Sequence, residues 1–192
     1  MNQRERQKDS RRKQIQETSL DLFVRHGFTG TSTREISRKI GISSGLMFHY
    51  YETKEQLYIA HLETALDGIH MMEEFLQMPI PPLQAFRQLA DAVLSYFAVS
   101  PMTAKVFLLA KQAMYADYLT DKMKAVIGQM DIIEKMIPVI QDGQQDGDIK
   151  HGNPRTLALC FFSAIESVAE TVVCFPDVPM PEGEWLADIL RV

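Results

Sequence analysis

Apolar residues recur every three to four positions along most of this chain, and no stretch alternates strictly between apolar and polar. The pattern therefore predicts helices and no sheet. A first helix is expected over residues 10–26, with Ile15, Ser19, Leu22, Phe23 and His26 on one side and Gly27 where a left-handed cap belongs. Ser32 and Glu35 have capping-box spacing; they open a short helix that turns Ile36 and Ile40 inward and stops at Gly41. Ser43 opens a second short helix to residue 50, and Thr53 with Gln56 opens a long one to residue 76. Pro79, Pro81 and Pro82 precede a helix over 83–99, and Ser100-Pro101 reads as N-cap and first helical residue of a helix to 115. Further helices are expected over 118–140, 154–174 and 181–190, with the polar run 142–148 as a loop. The expected fold is all-α, with about nine helices: three in residues 1–54 and six, mostly longer, in residues 55–192.

The stretch 33–51 has the spacing of a helix-turn-helix. Two short helices packed at a steep angle need a small residue at the crossing, met by Ser37, and a turn residue tolerant of positive φ, met by Gly41. Ile36, Ile40, Ile42 and Met47 supply the locking contacts. Segment 43–50 then enters the major groove of double-stranded DNA with its N-terminal residues towards the bases. Ser32, Thr33, Ser43 and Tyr50 are hydroxyl donors for phosphates, and Lys54 can hold a phosphate together with free helix amides. Ser44, Gly45 and His49, with Leu46 in the same segment, are the base-facing candidates. Phe48 is expected in the core. The basic residues Arg4, Arg6, Lys8, Arg11, Arg12 and Lys13 form either a DNA-touching arm or a solvated tail.

Charge sharpens this division. The 192 residues have a formal net charge of −5, but residues 1–54 carry 11 Lys and Arg against 6 Asp and Glu, a net of +5. Residues 55–192 carry 9 against 19, a net of −10. A basic head on an acidic body lets only the head meet a polyanion. The two cysteines, Cys160 and Cys174, make neither a disulfide framework nor a zinc spacing. No secretory signal and no apolar run of membrane-spanning length is apparent, so a cytoplasmic protein without a membrane partner is expected. Enzyme readings find no phosphate-cradling glycine loop. Glu63, Asp67 and His70 share a helix face without a fourth ligand, so neither metal nor cofactor is expected.

Residues 11–60 as a whole resemble the N-terminal domain of the TetR/AcrR family of transcriptional repressors. The likeness is carried by Ile15, Leu22-Phe23, Gly27-Phe28, Thr31-Ser32-Thr33-Arg34-Glu35-Ile36, the run from Gly41 to Tyr51, and Lys54-Glu55-Gln56-Leu57. Departures are mild: Thr18, Ser19 and Ser37 stand where the family commonly has alanine, and Gln16 where it often has an aliphatic. The resemblance implies a homodimer paired through the last two long helices, a small-molecule pocket in each helical body, and release of the operator when that pocket fills.

In the body, Met71, Phe75, Tyr96, Phe97, Phe107, Met114, Tyr118, Met130 and Phe162 are either pocket lining or plain core, since flexible and aromatic side chains serve both. Glu166, a turn before Glu170 on an apolar helix, could select a cationic effector, face solvent, or pair across a dimer seam. Helix 154–174 is apolar nearly all round, which makes Leu157, Phe161, Ile165, Val168 and Val172 candidates for a dimer interface. The expected function is a ligand-responsive repressor that binds a near-palindromic operator as a dimer and is released by a small apolar, conceivably cationic, effector. The alternative is a helical ligand-binding or interaction protein without useful DNA affinity.

Overall fold

Ten helices carry the regular structure of the computed structural model, which describes residues 2–192: α1 (Gln3–Gly30), α2 (Thr33–Lys39), α3 (Ser44–Tyr50), α4 (Lys54–Leu76), α5 (Pro82–Val99), α6 (Pro101–Met114), α7 (Asp121–Ile127), α8 (Ile132–Asp146), α9 (Pro154–Cys174) and α10 (Gly183–Ala187). No strand occurs among the described residues beyond an isolated bridge between Ile149 and Arg191.

α1 begins seven residues earlier than its apolar pattern suggests, because Asn2 and Glu5 form a reciprocal capping box that starts the helix in polar sequence. The basic N-terminal residues thus extend a helix rather than forming an extended arm. Gly27 adopts φ 71° and breaks the helix before Phe28, and the Thr31 hydroxyl donates back to the Gly27 carbonyl at 2.9 Å. Ser32, Ser43 and Thr53 cap α2, α3 and α4 through their side-chain oxygens, as their spacing predicted.

The predicted helix over 118–140 is two. Gly128 ends α7 and Asp131 caps α8 by accepting from the Glu134 amide. α8 then runs through most of the polar stretch expected to be a loop and stops at Gly147, which takes φ 83°. Gly143 is buried there because Ile149 folds back against it; a Cβ at 143 would lie 2.6 Å from Ile149 Cδ1.

One continuous buried cluster runs from Ile15 and Phe23 through Leu57, Tyr58 and Leu62 to Phe86, Phe97, Phe161 and Ile165. α4 ties the parts together, since it packs on α1, α5, α6, α7 and α8. α5 and α6 are bent by 113° at Ser100-Pro101, which leaves a cleft facing α1 and α4. α9 is long and apolar enough to cross a membrane by length and composition, contrary to the reading of the sequence, yet Ala158, Phe161, Ile165 and Ala169 are buried within the chain.

Candidate nucleic-acid interface and effector cleft

α2 and α3 form a helix-turn-helix whose turn is held by the backbone. Gly41 takes φ 69°, its amide donates to Arg38 O at 3.2 Å, and the Ile42 amide donates to Ser37 O at 3.0 Å. Ser37 is buried at the crossing, with its Oγ donating to Arg34 O and lying 3.4 Å from Ser44 Oγ. A bulkier residue at 37 would separate the helices.

Met47 is the buried residue of α3, while Ser44, Gly45, Leu46, Phe48 and His49 are exposed and Tyr50 is half-buried. Phe48 therefore corrects the sequence reading. At about 100° per residue, Met47 and the buried Tyr51 one turn on set the inner side of α3, and Phe48 lies at the edge of that side with its ring on the open surface. Phe48 is 46% exposed and Leu46 41%, at separate positions around the helix on either side of His49. A Cβ at Gly45 would meet nothing nearer than Ser43 Oγ at 4.0 Å, so this glycine leaves room for an approaching surface rather than for the core.

Ser32 and Ser43 are exposed N-caps whose oxygens accept from the amides of Glu35 (3.1 Å) and Leu46 (3.2 Å). Each hydroxyl keeps its own proton available for a phosphate oxygen. Thr33 is half-buried on the first turn of α2.

Lys54 sits differently from its sequence reading. Its ammonium donates to Phe28 O at 2.7 Å and Thr31 O at 2.9 Å and lies 4.1 Å from the centre of the Phe28 ring. Burial pulls its pKa down. Two of its three protons thus close the end of α1, where a cation complements unpaired carbonyls.

The head joins the body through polar contacts as well as through apolar packing. Asp21 on α1 pairs with Lys105 of α6 at 2.8 Å, Lys39 of α2 at 3.6 Å and Arg25 at 3.3 Å. Burial alone would raise this carboxyl, but the Lys105 hydrogen bond and the three cations outweigh it and hold it below its ordinary value. Tyr118, expected in the pocket, instead bridges to the head: its hydroxyl is 3.0 Å from that of Tyr58 and its ring stacks on Phe28.

A cleft of about 330 Å³ lies between α1, α4 and the bent α5–α6 pair. Met71, Tyr96, Phe97 and Phe107 line it, as do Gln16, Leu20 and His61, which sequence reading did not single out. Met114, Met130, Phe162 and Glu166, again with Phe107, line a separate space of about 30 Å³, room for about one water molecule. Phe75 lines neither and packs at the edge of the core.

Glu166 is not an unmatched carboxylate. Lys111 of α6 reaches it at 3.4 Å and Glu170 at 2.8 Å, and the Glu170 hydrogen bond leads the interactions that raise the lysine pKa. Glu166 and Glu170 thus share one ammonium, so Glu166 is partly matched within the chain.

Phe161 and Ile165 are also corrected as interface residues: both are fully buried inside the chain, with Phe161 edge-on to Phe86 at 5.0 Å. Leu157, Val168 and Val172 are half-buried, and Leu159, Ser163 and Ser167 lie on the exposed stripe of α9. Glu63, Asp67 and His70 are exposed, and no group of three or more His, Cys, Asp or Glu among the described residues is placed to hold a metal.

Residues 15–61 match the sequence profile of the tetR family of bacterial regulatory proteins. The chain is 26% identical over 188 residues to the HTH-type transcriptional regulator RutR of Escherichia coli K12, covering 96% of this chain and 84% of that protein. It is 26% identical over 197 residues to the HTH-type transcriptional repressor NicS of Pseudomonas putida, covering 97% and 90% respectively. Among solved structures, AibR in complex with isovaleryl coenzyme A and operator DNA superposes with a TM-score of 0.67 at 19% identity, over 93% of this chain and 94% of that one.

Proposed function

We propose that this chain, a member of the TetR family of ligand-responsive transcriptional regulators, acts as a homodimeric repressor that binds a near-palindromic operator and releases it when a small apolar effector occupies the body. Residues 1–54 would form the DNA-reading unit and residues 55–192 the effector-binding and dimerisation unit. The observation that carries this reading is the outer face of α3: Ser44, Gly45, Leu46, Phe48 and His49 are exposed together, flanked by the capped N-termini of α2 and α3. Such a face offers hydrogen-bonding and apolar contacts to base edges, with Ser32, Thr33, Ser43 and Tyr50 placed to hold phosphates. RutR and NicS are described as a regulator and a repressor of transcription, which agrees with this role.

The dimer would form on α8 and α9 through the exposed Leu159 and the half-buried Leu157, Val168 and Val172. A two-fold pair of heads reads half-sites roughly 34–36 Å apart or a multiple of that. AibR is seen with both isovaleryl coenzyme A and operator DNA, which supports pairing a small-molecule effector with DNA binding in this fold. A protein working on DNA in a bacterium would act in the cytoplasm, without a membrane partner.

Selection of the purified chain against a random duplex library, with light scattering of the free protein, tests the proposal. The expected result is a dimer in solution and enrichment of an inverted repeat. A monomer that enriches no sequence would overturn it and favour a binding protein without DNA affinity.

A further inference from the structure

We propose that the cleft between α1, α4, α5 and α6 takes an uncharged, largely apolar small molecule that donates one hydrogen bond to Nδ1 of His61, with Ser19 fixing the imidazole so that Nδ1 accepts. This rests on the effector-responsive reading above and names the chemistry of its effector.

His61 is only 3% exposed and lines the cleft. Ser19 Oγ lies 3.0 Å from Gln16 O and 2.9 Å from His61 Nε2. A carbonyl cannot donate, so with the hydroxyl proton of Ser19 on Gln16 O, Oγ accepts from Nε2–H. In this arrangement Nε2 carries the proton and Nδ1 a lone pair, the tautomer on which the proposal rests. No described residue hydrogen-bonds Nδ1, and burial keeps the ring neutral by pushing its pKa down to about 4. Nδ1 is not sealed from solvent, and on a residue that lines the cleft it offers an acceptor to a ligand O–H or N–H that takes the place of water.

The remaining walls set the rest of the ligand: Leu20, Ile69, Val93, Phe97 and Phe107 are apolar, and Gln16, Thr64, Tyr96, Ser100 and Thr103 add neutral polar groups. The charged residues on the lining, the exposed Lys13 and the half-buried Glu17, pair with each other at 3.8 Å. A charge carried deep into the cleft would meet no unpaired counter-charge, so the ligand is uncharged. A cleft of about 330 Å³ suits a compact molecule. Leu20 and Ser19 belong to α1, the first helix of the head, so the ligand touches the DNA-reading unit with no intervening element.

Thymol, its methyl ether and para-isopropylbenzoate present one apolar body with a donor, without one, and with a negative charge. Calorimetric titration at neutral pH is expected to show thymol binding about tenfold more tightly than the ether, with the benzoate weakest. Nitrogen-resolved NMR of the imidazoles should show thymol shifting Nδ1 of His61; both of these measurements use the unaltered chain. His61→Leu should erase the thymol–ether difference, and His61→Gln, which keeps an acceptor, should retain part of it. Equal binding of thymol and ether, a difference that survives His61→Leu, tighter binding of the benzoate, or no binding of any probe at millimolar concentration would each overturn the assignment. Failure of the effector reading looks different: thymol binds with its donor preference intact, yet DNA affinity does not change.

Discussion

Lys105 Nζ on α6 donates to Asp21 Oδ1 on α1 at 2.8 Å, joining the body to the helix that supports the DNA-reading pair. Both side chains are about one-fifth exposed, so the pair is shielded from solvent more than a surface bridge. Lys105→Met keeps the apolar stem and removes the charge. It is expected to lower stability in urea by about 1–2 kcal/mol. Because the folded Asp21 pKa is depressed, its contribution is complete above the unfolded value and is lost as pH falls through the folded one. Acid unfolding of Lys105→Met should therefore begin at higher pH than that of the parent chain.

His61 gives a second pH signature. Its folded pKa is about 4 against an ordinary 6.5, so between these values the unfolded chain binds a proton that the native ring refuses. The stability present above pH 6.5 is thus lost progressively as pH falls towards 4, up to about 3 kcal/mol from this group. Urea denaturation across that window should show a shallower slope for His61→Gln.

Lys54→Ala removes both hydrogen bonds to the Phe28 and Thr31 carbonyls. A loss of about 1–2 kcal/mol in urea is expected, together with weaker DNA binding. If the ammonium served only to hold a phosphate, stability would be unchanged and the salt slope of DNA binding would fall by about one.

Phe48→Ala should leave thermal stability within about 0.5 kcal/mol of the parent, because the ring lies on the open face of α3. Its effect should appear in DNA affinity, measured by fluorescence anisotropy. A core Phe would instead cost about 3–5 kcal/mol.

The helix-turn-helix was legible because its determinants are local: a cap oxygen three residues from its amide at Ser32 and Ser43, and a positive φ that Gly41 meets cheaply. Phe48 was not, because seven residues are too few for apolar spacing to show which side faces the core. The break between α7 and α8 rests on Gly128 and Asp131 within an otherwise continuous apolar pattern. The cleft between α1, α4, α5 and α6 depends on distant partners. Ser19 and His61 are 42 residues apart, and the only local hints were a hydroxyl where alanine is common in the resembled family and a histidine among Leu57, Tyr58 and Leu62 on the inner face of α4. The lysine that Glu166 shares with Glu170 lies on another helix, and apolar periodicity around Glu166 could not reveal it.

Whether the head reads DNA is settled most sharply by anisotropy titration of the purified chain on duplexes flanking its own gene, between roughly 50 and 200 mM salt. Dimer binding through two basic heads predicts sequence-selective affinity at the lower salt that falls by about a thousandfold or more at the higher. Absence of selective binding at the lower salt, with the chain folded and free of effector, would contradict it.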